Sequence, residues 1–317
     1  MSSQSITERE EESTPLTGVT DIVSSPSANI MSSSTIMPAS ATLALTELYP
    51  PRTYRSFTDC KTDVSTLWAR LKDRDVNQVL SYKHVRPSVF VYLEKHRYQL
   101  GTTVRLTYHQ DIETLLIKIP LERHESAHLS IAQDTSTMLS NMGVERDERW
   151  PTGAATFKRS TTSESAKEGD SSYRNCILRP NEGDWPHWAI ECGLSESIPH
   201  LRMAVDWWIG NSMGRVNLVL LLDISRARKT ITIEKYVPYA RQGPRTRAQA
   251  AGAVIVRRCV STIIINMKAN PPSVQGAPLI LEFEKIVGRP AVNQERDVVF
   301  DSTALLAIAR GVFRGMP

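Results

Sequence analysis

The chain has 317 residues, and 38 Lys and Arg against 34 Asp and Glu give it a formal net charge of +4. This length suggests one or two domains, and so small a basic excess does not by itself indicate a nucleic-acid partner. Four cysteines without a CxxC pair argue against a disulfide scaffold and favour an intracellular location, in cytoplasm or nucleus. We expect no membrane helix, because no apolar run reaches ~20 residues, and no secretory signal, because the first residues are polar and partly acidic.

The N-terminal third divides into two segments of different composition. Residues 1–45 are dominated by Ser, Thr, Ala and Pro and show no sustained hydrophobic period. Such a stretch buries too little apolar area to offset its ordering entropy, so we predict a disordered tail over 1–45. Residues 46–101 are predicted to form an N-terminal extension packed on the core, with a short helix near Trp68 followed by an extended piece near Val91.

The periodic signals become clearer from Thr102 onward. Thr102 to His109 and Leu115 to Ile119 alternate apolar and polar residues and are separated by a short polar loop, which predicts a β-hairpin. Glu122 to Met142 has helical spacing of its apolar residues, and Gly143 is a plausible end for that helix.

Three short strand candidates follow the predicted helix. They are Ala155 to Ser160, Tyr173 to Leu178 and His187 to Leu194, and a polar linker from Thr161 to Glu168 separates the first two. A further helix is expected to start near Pro199, a residue suited to the first helical position.

The almost unbroken apolar run from Val216 to Ile224 predicts a central strand covered on both faces. Extra C-terminal strands are expected at Val254 to Ile265 and Leu279 to Ile286, and a terminal amphipathic helix from about Asp301. The resulting order of elements is αβββαβ, an α/β fold with a crossover between its last two strands. We assign residues 102–317 to one domain.

Carboxylates inside this pattern are the first candidate site residues. Strand alternation places Glu191 among apolar residues of HWAIECGL, where a charge is costly unless it is paired or bound to a cation. Asp170 lies at or just before the preceding strand, so a hairpin would bring both carboxylates to one point. Glu125, on the preceding helix, could join them. These three residues are therefore candidate metal ligands.

The pattern resembles the PD-(D/E)XK nuclease superfamily, the restriction-endonuclease-like fold. Its signature is an Asp at a turn, followed on a later strand by Glu or Asp, one spacer residue and Lys; the matching pieces here are Gly169-Asp170 and Glu191-Cys192-Gly193. The context is similar to uncharacterised fungal proteins of that superfamily that carry W-P-x-x-x-I-E-x-G-x-S-E-S. The resemblance covers roughly Thr102 to Tyr236.

The resemblance implies hydrolysis of phosphodiester bonds in DNA or RNA. Asp170 and Glu191 would be the ligands of Mg²⁺ or Mn²⁺, with Glu125 a weaker third, since such ions prefer oxygen ligands. The lysine position of the motif is Gly193, and Arg202 on the following helix is the nearest candidate cation. Because Arg keeps its proton, Arg202 could orient water or stabilise charge but could not act as a base. A catalytically inactive nucleic-acid or protein interaction module is the alternative.

A second pattern gives a different hypothesis. Residues 124–128 spell H-E-S-A-H, which on a helix places His124 and His128 on one face for Zn²⁺ with Glu125 as the base of a metalloprotease. Glu148 is a possible companion ligand, although it sits in a very polar stretch. The charged residues Glu122 and Arg123 argue against this hypothesis, because the motif is usually flanked by apolar residues.

Overall fold

The computed structural model describes residues 43–44, 46–74, 76–153, 155–158, 165–194, 196–241 and 254–314, without the side chains of 73, 123, 241 and 254. The predicted tail lies outside these ranges up to residue 42. Leu43, which the prediction assigned to the tail, is buried together with Leu48, Val79 and Leu116. No helix within these ranges is long and apolar enough to cross a membrane.

The helices of this part of the chain are α1 (Phe57–Asp73), α2 (Pro87–His96), α3 (Glu122–Asn141), α4 (Ile198–Asn211), α5 (Phe283–Val287) and α6 (Ser302–Val312). The strands are β1 (Arg52–Thr53), β2 (Val79–Lys83), β3 (Arg105–His109), β4 (Thr114–Lys118), β5 (Trp150–Pro151), β6 (Thr156–Lys158), β7 (Ala166–Glu168), β8 (Ser171–Arg174), β9 (Trp188–Leu194), β10 (Leu218–Ser225), β11 (Thr230–Arg241), β12 (Val254–Asn266), β13 (Ser273–Gln275), β14 (Leu279–Leu281) and β15 (Val298–Phe300).

Six strands form the first sheet, sheet A, in the order β1-β2-β4-β3-β7-β6. The predicted hairpin is confirmed as the antiparallel pair β3–β4. The segment 46–101 contributes β1 and β2 to the same sheet, and β2 pairs directly with β4. The extended piece predicted near Val91 is wrong, because Pro87 begins helix α2 there and Phe90 and Leu93 bury one helical face.

Seven strands form the second sheet, sheet B, in the order β13-β12-β11-β10-β9-β8-β5. The predicted central strand is confirmed as β10, whose residues Leu218 to Ile224 are all buried. Strands β9 and β10 run parallel, and α4 forms the predicted crossover between them. Helices α3 and α6 cover one face of this sheet, and α4 covers the other.

The fold is mixed α/β, as predicted, but the three strands predicted after α3 do not lie side by side in one sheet. Residues 156–158 form β6, which belongs to sheet A, and the predicted linker contains β7 of the same sheet. The strand predicted at Tyr173 to Leu178 is β8, which begins at Ser171 and ends at Arg174. Beside β9 in sheet B lie β8 and then the two-residue strand β5. Within sheet B the elements α3, β5, β8, β9, α4 and β10 follow one another, but β6 and β7 of sheet A lie between β5 and β8 in the chain, so the predicted αβββαβ order is interrupted.

The C-terminal predictions are largely confirmed. Strand β12 covers Val254–Asn266, and α6 begins after Asp301, whose carboxylate accepts a hydrogen bond from the Ala304 amide. The stretch predicted as a strand over Leu279 to Ile286 is only half right. Strand β14 ends at Leu281, and α5 starts at Phe283 because Phe283, Ile286 and Val287 bury one helical face.

Candidate functional site

A group of buried charged side chains lies where the chain passes from sheet A to sheet B. Gly169 and Asp170 make this passage, since they connect β7 to β8. We call the charged site the set of ionic side chains that converge there: Lys167, Asp170, Glu191 and Glu196, which are buried, and Lys118, whose side chain is 12% exposed. A buried ion loses several kcal/mol of hydration unless partners compensate it, so each carboxylate has to be accounted for.

Asp170 has three nitrogen neighbours at one carboxylate oxygen. Its Oδ2 lies 2.9 Å from Lys118 Nζ and 3.1 Å from His124 Nε2, and it accepts a 2.8 Å hydrogen bond from the Cys192 amide. Burial alone would raise the pKa of this carboxyl, but His124 and Lys118 hold it well below its usual range. Asp170 is thus a carboxylate anion that joins β4, α3 and β9.

Lys118 also contacts a second carboxylate, Glu196. The Lys118 Nζ to Glu196 Oε1 distance is 3.5 Å, Gln78 Nε2 donates to the same oxygen at 2.5 Å, and His200 Nδ1 lies 2.9 Å from Oε2. Burial would raise the pKa of Glu196, yet Lys118 and His200 lower it to about 2. Burial likewise would lower the pKa of the Lys118 ammonium, but Asp170, Glu196 and Glu191 raise it, so Lys118 stays protonated.

Glu191 has different partners, on the α4 side of sheet B. Its Oε1 accepts a 2.5 Å hydrogen bond from Trp208 Nε1, and its Oε2 lies 3.1 Å from Lys167 Nζ. Lys167 also donates to Thr107 Oγ1 at 3.3 Å. Strand alternation accounts for this direction, because Glu191 shares its face of β9 with Ala189, which packs against α4.

The surroundings of Asp170 and Glu191 do not suit a Mg²⁺ ion bound between these two carboxylates. Mg²⁺ requires free carboxylate oxygens in near-octahedral geometry and keeps several waters. Both oxygens of Glu191 and Oδ2 of Asp170 are instead occupied by N–H donors, two of which are lysine ammonium groups. Glu125, the predicted third ligand, contacts His124 and His128 and not these two carboxylates. We therefore assign no chemical step to Mg²⁺ or Mn²⁺ here.

The other predicted catalytic residue, Arg202, is engaged elsewhere. Its Nε and Nη2 lie 3.1 and 2.6 Å from the two carboxylate oxygens of Glu234, and Nε also lies 3.1 Å from the Tyr236 hydroxyl. This two-point ion pair connects α4 to β11. Arg202 therefore serves that contact, and it is Lys118 and Lys167 that bring cations to the carboxylates.

Close packing of α4 leaves little room for a side chain at two glycines of the site. A Cβ at Gly193, the position that corresponds to the lysine of the motif the sequence resembles, would lie 2.7 Å from both Cδ atoms of Leu201. A Cβ at Gly169, just before Asp170, would lie 2.9 Å from the Trp208 ring. Both contacts are shorter than van der Waals separation, so a side chain at either position would force Leu201 or Trp208 to shift.

The His-Glu-His pattern forms a second cluster at the start of α3. His124 Nδ1 lies 3.6 Å from Glu125 Oε1, and His128 Nε2 lies 3.4 Å from Glu125 Oε2. The other ring nitrogens face the β7–β8 connection, with His124 Nε2 at Asp170 and His128 Nδ1 2.8 Å from Ser171 Oγ. Glu148, the possible companion ligand, bonds Arg289 instead.

Sequence reasoning missed Lys118, Lys167, Glu196, Gln78 and His200. The sequence held one signal for Lys118, which follows the apolar residues of TLLIK. A charge beside such an apolar strand is costly unless it is paired, as was argued for Glu191. Gln78 and Glu196 are 118 positions apart, and no local pattern reveals such a contact.

Comparison of the sequence with protein-family models and with curated proteins gave no match.

Proposed function

We propose that the protein hydrolyses phosphodiester bonds at the charged site. The observation that carries this proposal is the position of Lys118, whose ammonium lies 2.9 Å from the Asp170 carboxylate. The superfamily that the sequence resembles uses a lysine beside its carboxylates, and Gly193 cannot provide one. Lys118 supplies that cation from β4, an element outside the motif.

The arrangement of sheet B around the site supports the same proposal. Helix α3 precedes the sheet-B strands β5, β8 and β9, and helix α4 and strand β10 follow them, although β6 and β7 of sheet A intervene between β5 and β8. Asp170 immediately precedes β8 and Glu191 lies inside β9, and these two strands pair antiparallel. One carboxylate thus lies just before, and the other within, a pair of neighbouring strands, as the resemblance implies.

The cost of burying so many ions also favours a functional role. Each buried ion carries an effective desolvation penalty of several kcal/mol, so apolar residues of similar volume are often at least as stabilising. Clusters of charged groups with shifted pKa values are typical of active sites, although structural networks also produce them. Here two lysines and three carboxylates are gathered within one junction of the fold, and the pKa values of Lys118, Asp170 and Glu196 are shifted.

The protonation state of Lys118 determines its role. Since its pKa is raised, the ammonium cannot accept a proton at neutral pH and is not a general base. It instead provides a fixed positive charge that binds a phosphoryl oxygen and stabilises the negative charge that develops there, a kind of interaction worth ~10²- to 10³-fold in rate. Asp170 holds the ammonium in place.

A non-catalytic interaction module is the second candidate, and one observation favours it. Asp170 and Glu191 each have a lysine partner within the chain, and Glu196 has Lys118 and His200. Such a network is self-contained and could serve only to join the two sheets.

Cleavage assays separate the two candidates. The full chain is incubated with single-stranded DNA, double-stranded DNA and RNA, with Mg²⁺, with Mn²⁺ and with EDTA. The proposal predicts cleavage that falls by about 100-fold in Asp170→Asn and Glu191→Gln. Lys158→Met, at an exposed lysine paired with Glu94, is the control and leaves the rate unchanged. Absence of cleavage under all conditions would favour the interaction module.

A further inference from the structure

We propose that His124, Glu125 and His128 form a binding site for a divalent transition-metal ion of the Zn²⁺ class. The ligands are His124 Nδ1, His128 Nε2 and the Glu125 carboxylate. This proposal does not depend on phosphodiester hydrolysis, because it rests on a different set of side chains.

The three side chains lie close enough together to bind one ion. One ligand atom from each residue can be chosen so that all lie within 4.8 Å of one another. Metal–ligand bonds of ~2.0–2.1 Å at tetrahedral angles place neighbouring ligand atoms ~3.3 Å apart. His124 Nδ1 lies 3.6 Å from Glu125 Oε1 and His128 Nε2 lies 3.4 Å from Glu125 Oε2, distances that are long for good hydrogen bonds and close to that edge length. Coordination by all three residues therefore requires the side chains to close around the ion.

Three of the would-be ligand atoms have no hydrogen-bond partner among the described residues, and Glu125 Oε1 has only long contacts, to His124 and Arg105. His124 Nδ1, His128 Nε2 and Glu125 Oε1 are buried and make no hydrogen bond. Buried polar atoms are nearly always satisfied, and each exception requires an explanation. Both imidazoles are fully buried. A single cation between them would satisfy all three atoms at once.

The opposite edges of the two imidazoles lie beside oxygen atoms, the usual arrangement of metal-binding histidines, although the His124 Nε2 to Asp170 contact has ion-pair distance without the geometry of a hydrogen bond. Metal-ligating histidines almost always place the second ring nitrogen against a carboxylate or another acceptor, which fixes the tautomer and the ring orientation. His124 Nε2 faces Asp170 Oδ2 at 3.1 Å, and His128 Nδ1 lies 2.8 Å from Ser171 Oγ. The adjacent residues Asp170 and Ser171 thus orient both rings, and Lys118 holds Asp170.

The chemistry of the donors selects the class of metal. Two imidazole nitrogens and one carboxylate suit Zn²⁺ and similar ions, whereas Mg²⁺ and Ca²⁺ prefer oxygen donors alone. Three protein ligands leave one coordination position open. Glu125 is 30% exposed and provides the path from solvent. Because the Glu125 carboxylate lies between the two imidazole rings, it would be a ligand of the metal. The metalloprotease hypothesis instead gave Glu125 the role of a base.

One neighbouring cation opposes metal binding. Arg105 Nη2 lies 3.7 Å from Glu125 Oε1, a long contact that the metal would replace. The Asp170 carboxylate on the other side of His124 offsets this positive charge.

A direct binding measurement tests the site. The full chain is stripped of metal with a chelator and titrated with Co²⁺, whose visible absorption reports coordination geometry, and then with Zn²⁺ in competition. We expect one equivalent of Co²⁺ with the intense absorption of a four-coordinate ion, displaced by one equivalent of Zn²⁺ but not by excess Mg²⁺.

Two ligand variants and two comparison variants make the test specific. Glu125→Gln and His128→Ala should each weaken binding by about 100-fold or more, and Ser171→Ala by about 10-fold, the range found for partners of ligating histidines. His96→Ala, at a histidine stacked on Tyr92, is the control and leaves binding unchanged. Circular dichroism checks the fold, and Glu125→Gln, at a partly exposed position, remains informative if His128→Ala unfolds.

The proposal is overturned if the wild type takes up no stoichiometric Co²⁺ or Zn²⁺, or if Glu125→Gln binds as tightly as the wild type. Since the readout is binding, this result is independent of whether the protein cleaves nucleic acid.

Discussion

At the residue scale, Asp170 connects the two clusters of the molecule. It accepts from Lys118 in the charged site and faces His124 of the His-Glu-His cluster. Its three contacts come from β4, α3 and β9, so one carboxylate fixes the relative position of three elements. Removing either member of the Lys118–Asp170 pair leaves the other charge buried without its main partner.

Lys118→Met should therefore destabilise the fold by about 3 kcal/mol, the cost of breaking a buried ion pair. Urea unfolding measures this change, and the double variant with Asp170→Asn should cost clearly less than the sum of the single variants because the two charges are coupled. Lys158→Met, at an exposed pair, should change stability by less than about 0.5 kcal/mol. Additive single and double variants would show that the pair contributes nothing.

Asp223 gives a pH-dependent prediction. Burial raises the pKa of this carboxyl to about 6, and Glu196 and Glu234 add to the shift while Arg228 opposes it. Because the folded state binds the proton more tightly than the unfolded state, stability is lost as pH rises from ~4 to 6 and stays lower above that range. Asp223→Asn should therefore gain about 1–2 kcal/mol at pH 7, a figure reduced for partial solvent screening, and little at pH 4.

Urea unfolding of wild type and Asp223→Asn at pH 4 and pH 7 measures that difference. An equal effect of the substitution at both pH values would contradict the assignment of the proton to Asp223.

At the element scale, the close approach of α4 to β9 determines what residue 193 can be. A lysine there would complete the pattern of the superfamily that the sequence resembles, but its Cβ would collide with the buried side chain of Leu201. We expect Gly193→Lys to cost roughly 1–3 kcal/mol, as other overpacked cores do, and to leave cleavage no faster. Gly183→Lys, at an open position, is the matched control. A stable, more active Gly193→Lys would show that α4 moves easily and that the motif position is usable.

Sequence periodicity was sufficient for the elements that bury a regular apolar face. Helix α3, the β3–β4 hairpin and strand β10 follow the predicted spacing because one face or both faces of each are apolar. Strand β7 was missed because Lys167 and Glu168 are buried charges, and their burial depends on partners from distant parts of the chain. The carboxylates Asp170 and Glu191 were predicted because a charge among apolar residues needs a partner. The partners of the site's carboxylates, such as Gln78 and Lys118, were missed because they become neighbours only after sheet A forms.

At the scale of the whole molecule, the charged site joins the two sheets. Gln78 and Lys118 come from the sheet A side and contact Glu196, which follows β9 of sheet B. Strand β2 pairs with β4. Buried apolar residues of β2 and β4 form one core cluster with those of α1 and α2. The predicted domain 102–317 therefore needs the segment 46–101 in order to fold.

A chain that begins at residue 102 should accordingly fail to fold cooperatively. It would lose β2 from the edge of β4 and the Gln78 hydrogen bond to Glu196, and it would expose the apolar face that α1 and α2 cover. Urea unfolding followed by tryptophan fluorescence measures this, with the full chain as the reference. A single sharp transition in the shortened chain, with an unchanged midpoint, would contradict this dependence.

If the protein cleaves phosphodiester bonds as proposed, Lys118 supplies the cation of that site. The most direct test is the single-turnover cleavage rate of a labelled oligonucleotide by wild type and by Lys118→Met, both shown to be folded by circular dichroism. The account predicts that the variant is slower by about 100-fold or more and that Lys118→Arg, which keeps the charge, recovers part of the rate. Equal rates for wild type and Lys118→Met would contradict it.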